Sequence, residues 1–244
     1  MKNNTPLLVI FLAMICSFAS CKKSKGLNTA AIKIATIDYR HNNELEHYSI
    51  TYDAYNNVDT MRITGGGSAL GHNAFKAFAY IGSSYSITDE TGYTFPVYAN
   101  TAGMILSIVQ SADSMSFVYN GTQLATLYDV SPILNPPYYV LSSTQYTWSG
   151  GDVASIYTNS INETYDYDKS KSGQAGDIIR INQFLGLGLS YTKTSHLPID
   201  MYISGTWAEK YYYQFDSQGR ISQMQKVTNI APATDTAIYQ YTYY

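Results

Sequence analysis

Apolar and polar residues alternate with period two over much of the chain, in short runs broken by Asp, Asn, Ser and Gly. Tyr211, Tyr213 and Phe215 alternate with shorter or polar neighbours, Asp216-Ser217-Gln218-Gly219 interrupts them, and Ile221 opens the next run. Period two predicts a strand with one buried face. An Asp at the first turn position can accept backbone N–H bonds, and a Gly at the last allows left-handed backbone. Residues 211–224 therefore read as one β-hairpin. Residues 52–61 align without a gap to residues 215–224, with Asn56 in place of Gly219. Asparagine is among the few residues that tolerate left-handed geometry, so the substitution supports the turn.

A shorter hairpin also occurs twice. Residues 118–128 align with residues 147–157, the first around Asn120-Gly121 and the second around Gly150-Gly151. In all four hairpins an apolar residue recurs three positions after the first, as in Val58 and Met61 or Val153 and Ile156. Period two cannot do this, so each returning strand is expected to carry an early bulge. A first strand is read at residues 32–37, with a turn at 38–43. Further strands are expected at 85–88, 93–98, 104–109, 138–148, 153–157, 162–167 and 238–244. Residues 131–137 are proline-rich and must be a loop, since proline cannot donate to a ladder; they read as a crossover within one sheet. Residues 73–80 are the one stretch with a helical alternative, and they alternate equally well as a strand. Residues 178–191 are irregular and are expected to wrap across the sheet. The pattern predicts an all-β antiparallel meander of repeated hairpins, a strongly curved sheet or nearly closed barrel, in a single domain over residues 32–244.

The N-terminus follows different rules. Lys2 precedes an uncharged run over residues 7–19, too short to span a bilayer, which needs ~20 apolar residues. Phe18-Ala19-Ser20-Cys21 resembles a bacterial lipoprotein lipobox, with Phe18 where leucine is usual. The expectation is a signal peptide over residues 1–20, a lipidated Cys21, and a tether over 21–31 carrying Lys22, Lys23 and Lys25. Cys16 falls within the removed segment, so Cys21 has no disulfide partner. An ordinary secretory cleavage near Ala19 is the alternative. No Asp follows Cys21 and no acidic run follows it, which points to the outer membrane with the body facing the periplasm.

The Tyr-x-Tyr-Asp hairpins and their returning Val-x-x-Ile pattern, over residues 34–244, resemble a family of Bacteroidota lipoproteins with a porin-like fold. The hairpins are also similar to the Tyr-Asp repeats of large toxin shells, for which this chain is too short. The resemblance implies a fold and a cell-envelope setting. It implies no activity and carries over no site residue.

Composition narrows the partners. The chain has 244 residues, 25 of them Tyr, and only 14% are charged, which suits a β-protein. Without Lys2 it holds 14 basic and 18 acidic residues, a balance that excludes a nucleic-acid surface. Residues 65–71 are glycine-rich, but no βαβ unit surrounds them to make a phosphate loop. Asp166, Asp168, Ser170 and Asp177 have spacing that suits calcium, yet Lys171 stands where the loop glycine belongs, so a solvated hairpin loop is the plainer reading. His41, Glu44, Glu46 and His47 crowd one turn, although consecutive Glu46 and His47 would face opposite ways. Tyr55, Trp148 and Trp207, near turns, are candidates for stacking on a sugar or partner. No nucleophile, zinc or P-loop motif appears. The function expected is therefore a lipid-anchored, non-enzymatic binding or scaffold module without a cofactor, with the membrane and a glycan or envelope protein as partners. The alternatives are a glycan hydrolase with a carboxylate pair, and an integral outer-membrane β-barrel.

Overall fold

Sixteen strands follow one another around a closed antiparallel barrel, each hydrogen-bonded to its neighbours in sequence. The structure is a computed structural model that describes residues 33–42, 44–66, 74–110, 114–131, 139–230 and 233–244. The expected signal peptide and tether with Cys21, residues 67–71 and residues 132–137 lie outside the described residues. The first half comprises β1 (Ile34–His41), β2 (Glu44–Tyr52), β3 (Val58–Gly65), β4 (Ala74–Ile81), β5 (Ser84–Asp89), β6 (Thr94–Ala99), β7 (Ile105–Val109) and β8 (Ser114–Asn120). The second comprises β9 (Gln123–Ser131), β10 (Tyr139–Ser149), β11 (Asp152–Thr158), β12 (Ile161–Ser172), β13 (His196–Ile203), β14 (Thr206–Phe215), β15 (Ile221–Ile230) and β16 (Ala233–Tyr243). β1 pairs with β16 and closes the ring. Lys33 and Tyr244 meet at one end, here the base, where the Tyr244 N–H donates to the Lys33 carbonyl at 3.2 Å. The opposite end is the rim.

The corners are built as the alternation predicts, and one device recurs. In the Asp53 and Asp216 corners, Oδ1 accepts N–H groups from two and four residues onward at 2.8–2.9 Å. The fourth residue is left-handed, Asn56 at φ 71° and Gly219 at φ 77°. Asp89 with Gly92, and Asn100 with Gly103, make the same corner. Each of the four expected bulges is present: Asp59, Ala125, Ala154 and Ser222 are extra residues in their returning strands. A bulge restores inward direction after an odd step, which is why Val58 with Met61, and Ile221 with Met224, all point into the barrel.

Several expectations are corrected. β1 runs through Asp38 to His41, because Tyr39 and His41 pair with Tyr239 and Ala237 on β16, and the chain does not turn before Asn42. The loop of the first short hairpin is Gly121-Thr122, since Asn120 still pairs with Gln123. Of residues 73–80, the described ones take the strand reading, in β4. β9 and β10 pair directly, so the proline-rich connection joins a hairpin and is no crossover. β12 continues to Ser172, so the expected loop after Asp166 is strand.

The largest correction concerns residues 178–191. They hold helix α1 (Ile178–Leu187), which lies inside the barrel and not across the sheet, with Ile178, Ile179 and Ile181 buried among the inward residues of the wall. Asp177 caps its first turn, accepting the Arg180 N–H at 2.9 Å. Gly188 ends it at φ 73° with its N–H on the Phe184 carbonyl at 2.8 Å. Its last turn has no basic residue of its own. The wall supplies one: Lys76 Nζ donates to the Leu185 and Gly186 carbonyls at 2.9 and 3.1 Å, and the Tyr85 hydroxyl donates to Leu187 at 2.9 Å. A cation there complements the helix dipole. Both ends of the plug segment are stitched together, Gly173 N–H to the Ser195 carbonyl at 2.9 Å. Asp152, buried beneath the β10–β11 turn, accepts the His196 N–H and Nδ1 at 2.8 Å each and is paired with Lys169.

The inner wall is apolar: Ile37, Ile50, Met61, Ile87, Ile105, Leu124, Ile221 and Met224 are essentially inaccessible to water. Each such side chain contributes roughly 1.5–3 kcal/mol on burial. The outer wall carries hydroxyl pairs and, on β1 to β3 and β12 to β14, charge, with exposed apolar side chains such as Leu45, Val140 and Leu141 between them. Thr36 bonds Thr242 and Thr51 bonds Thr60, each at 2.7 Å, Thr88 bonds Thr94 at 2.8 Å, His47 pairs with Asp38 at 2.6 Å, and Lys210 lies 3.6 Å from Asp200.

Two outcomes follow from the plug. A Cβ at Gly188 would stand 2.5 Å from the Phe78 ring, and the site is left-handed. Gly188→Ala is expected to destabilise the chain by more than about 1 kcal/mol, the strain alone, and Phe78→Leu to recover only the steric share, measured by a chemical-denaturation double-mutant cycle. Burial pushes the Asp177 carboxyl up to about 6 from its ordinary 3.8, against the pull of Arg180. The folded state then holds this proton more tightly than the unfolded chain, so stability from this group rises as pH falls through about 6 towards about 4. Thermal midpoints of Asp177→Asn, which keeps the cap, should lose that rise relative to wild type.

Candidate functional site

Between the plug and the rim, the inner wall changes character. Three strands place a Glu and, two residues later, a Tyr on the inner face: Glu46 and Tyr48 on β2, Glu163 and Tyr165 on β12, Glu209 and Tyr211 on β14. Period two puts both members of each pair on one side of the sheet. Each phenol donates to its carboxylate, Tyr48 to Glu46 at 2.5 Å, Tyr165 to Glu163 at 2.8 Å and Tyr211 to Glu209 at 2.6 Å. In every pair the Glu lies towards the rim, because all three strands run from rim to base. Burial, and then the adjacent carboxylate, raise the Tyr48, Tyr165 and Tyr211 phenols far above the ordinary 10.

Other groups join this tier. Tyr39 and Tyr239 face each other with ring centres 4.7 Å apart. His41 on β1 is paired with Asp235 on β16, which holds the Asp235 carboxyl below its usual range. Lys226 lies 3.3 Å from Glu209. Solvent reaches parts of the tier: the side chains of Glu209, Lys226 and His41 are 16%, 27% and 32% exposed. Tyr165 feels both Glu163 and Glu209, so β12 and β14 act on one volume. The tier is an array of carboxylate acceptors, phenols and one ammonium group, the donor and acceptor set that matches hydroxyl-rich or cationic ligands. No sequence motif had singled out these pairs. The signal was present as Glu-x-Tyr three times on predicted strands, and His41, Glu46 and His47 were already noticed. Glu46 does turn inward and His47 outward.

A cleft of about 490 Å³ opens at the base, lined by Tyr80, Tyr85, Ser83, Gly103 and, from the plug segment, Leu189. Burial raises the Tyr80 phenol to about 12.

The residues singled out from sequence are dispersed. Tyr55 is at the base in the β2–β3 corner, 85% exposed. Trp148 points inward and donates Nε1–H to the Leu124 carbonyl at 2.7 Å. Trp207 lies on the outer wall near the rim, opposite Tyr202. Asp166 and Asp168 face outward on β12, where Asp166 accepts the Tyr202 hydroxyl at 3.2 Å and Asp168 accepts Ser170 Oγ–H at 2.6 Å. Asp177 is buried at the helix cap. The calcium spacing is therefore spread along a strand and into a plug, and among the described residues no three His, Cys, Asp or Glu converge as a metal site.

No protein-family model and no curated protein matches the chain. Solved structures do. A porin-like protein from Bacteroides uniformis superposes with a TM-score of 0.67 at 12% identity, covering 86% of this chain and 96% of that one. A porin-like protein from Bacteroides vulgatus gives 0.57 at 13% identity, covering 86% and 98%. The fold is thus shared with Bacteroides porin-like proteins, as the hairpin resemblance implied.

The phenol shifts have a spectroscopic consequence. Tyr48→Phe, Tyr165→Phe and Tyr211→Phe are expected to leave the tyrosinate absorbance titration of the folded chain unchanged up to about pH 11, because groups raised this far remain protonated there. A lower amplitude in any of the three would show its phenol to be exposed.

Proposed function

We propose that this chain is a lipid-anchored, non-enzymatic module of the cell envelope, attached to the outer membrane through Cys21, with its barrel standing in water and the Glu-Tyr tier as its binding surface. The observation that carries the reading is the polarity of the two wall faces. A barrel that spans a bilayer turns an apolar band outward around its whole circumference. Here the fully buried Ile, Leu and Met face inward; the outer wall has scattered exposed apolar residues, but Asp38 and His47 on β1 and β2, and Asp200 and Lys210 on β13 and β14, break any outward apolar band around that part of the ring. A charge on a lipid-facing wall costs up to ~2–4 kcal/mol at the midplane. Membrane attachment must then come from elsewhere, and Cys21 supplies it: two or more acyl chains hold stably at ~0.8 kcal/mol for each buried methylene. The plug and apolar inner wall also support a body that binds rather than conducts. The acceptor-rich tier suits an envelope glycan, whose hydroxyls would donate to Glu163 and Glu209 where solvent already reaches.

The discriminating measurement is fractionation. Wild-type chain should sediment with membranes and Cys21→Ala should appear in the soluble fraction; Cys21→Ala remaining in the membrane would favour an integral barrel.

A further inference from the structure

Three neighbouring corners at the base, β2–β3, β4–β5 and β6–β7, frame the cleft together with Leu189 of the plug segment. The corners contribute Asn57, Gly82, Ser83, Thr101 and Gly103, and no charged side chain lines the space. Its aromatic wall is a cross-strand pair. Tyr80 on β4 stands opposite Tyr85 on β5, with ring centres 5.1 Å apart and planes at 27°. Glycine keeps the mouth open: Gly82 and Gly103 are left-handed at φ 65° and 76°, where longer side chains are disfavoured, and a Cβ at either would meet nothing within 4 Å.

The plug side of the cleft is held in place. The Tyr85 hydroxyl donates to the Leu187 carbonyl at 2.9 Å, and Gly188 lies against the Phe78 ring. Leu189 follows directly, so its position is fixed and the cleft exists before any ligand arrives, as small-molecule sites commonly do. The volume of about 490 Å³ falls within the ~300–1,000 Å³ of such sites.

Three polar groups in the lining are unspent. Asn57 Nδ2 donates to Asp53 Oδ2 at 2.9 Å, which leaves Asn57 Oδ1 as an acceptor. The Tyr80 and Thr101 hydroxyls have no hydrogen-bond partner among the described residues. Burial, and then the Asp53 and Asp59 carboxylates, raise the Tyr80 phenol to about 12, so it keeps its proton and can donate.

We infer that this cleft binds a neutral sugar unit, with one ring face against Tyr80 and its hydroxyls on Tyr80, Thr101 and Asn57. The lining selects this class. The C–H face of a sugar is apolar and suits the phenol rings and Leu189. Sugar hydroxyls both donate and accept, which matches two protein hydroxyls and one acceptor. A hydrocarbon would bury those three groups unpaired. A charged sugar would give up water for a lining that holds no counter-charge. The Glu-Tyr tier lies towards the opposite end of the body, and the inference depends on neither that tier nor the anchor.

The test uses the full chain in a detergent without a sugar headgroup. Cellobiose, maltose and N,N′-diacetylchitobiose serve as neutral probes, glucosamine and galacturonate as charged ones and hexanol as an apolar one, each followed by saturation-transfer NMR and a titration for Kd. At least one neutral sugar should bind at millimolar concentration. Thr101 is exposed at a corner position that accepts most residues, so Thr101→Trp should fold and abolish binding by filling the mouth. Tyr80→Phe keeps the ring and should weaken binding about five-fold, the loss of one hydrogen bond. No binding of any neutral probe, binding that survives Thr101→Trp, or a preference for the charged sugars or hexanol overturns the inference. Binding lost in Glu163→Gln but retained in Thr101→Trp also overturns it, and assigns the sugar to the tier instead.

Discussion

The lumen must be filled, and the structure depends on how. A ring of sixteen strands encloses more volume than its own inward side chains can occupy, and barrels of this size ordinarily hold water. Here, around the plug and away from the Glu-Tyr tier, the inward faces are Ile, Val, Leu and Met among tyrosine rings, which would gain little from a wet interior. The contact between those faces and Ile178, Ile179 and Ile181 of α1 resolves the conflict. The helix could not stand alone, being too short to persist in water and lacking a cation in its last turn. Lys76 and Tyr85 complete it from the wall. Barrel and plug are each other's condition.

That mutual dependence explains what the sequence disclosed. Period-two alternation, the Asp and Asn corners and the returning apolar pairs are local signals, and they specified four hairpins with an early bulge in each returning strand, which the fold places at Asp59, Ala125, Ala154 and Ser222. The corners at Asp89 and Asn100 obey the same rule and were equally legible. The helix was not. Its apolar residues at 178, 179, 181, 184, 185 and 187 fit a helix, but Gly186 and the surrounding glycines weaken it. What decides the outcome is an apolar lumen that exists only once distant strands have closed. The turn expected at residues 38–43 failed for a similar reason, since β16 extends the pairing of β1.

The candidate site followed another logic. Residues selected one at a time for their chemistry, Tyr55, Trp148 and Trp207, or for spacing along the chain, Asp166 to Asp177, were scattered by the fold. The pairs that do converge come from three strands far apart in sequence, and only the ring places β2, β12 and β14 on one interior. A carboxylate beside a phenol two residues away is cheap to encode and unremarkable once; three at one level make a surface.

Closure joins the first strand to the last. Thr36 and Thr242, hydrogen-bonded across that seam, are 206 positions apart. Until β16 has been made, β1 has one bare edge, able to recruit any passing strand. Pairings so remote in sequence also form slowly. A chain of this design therefore spends its synthesis and early folding as an open ribbon, and it should lean on holding factors during that interval more heavily than a protein assembled from neighbouring segments.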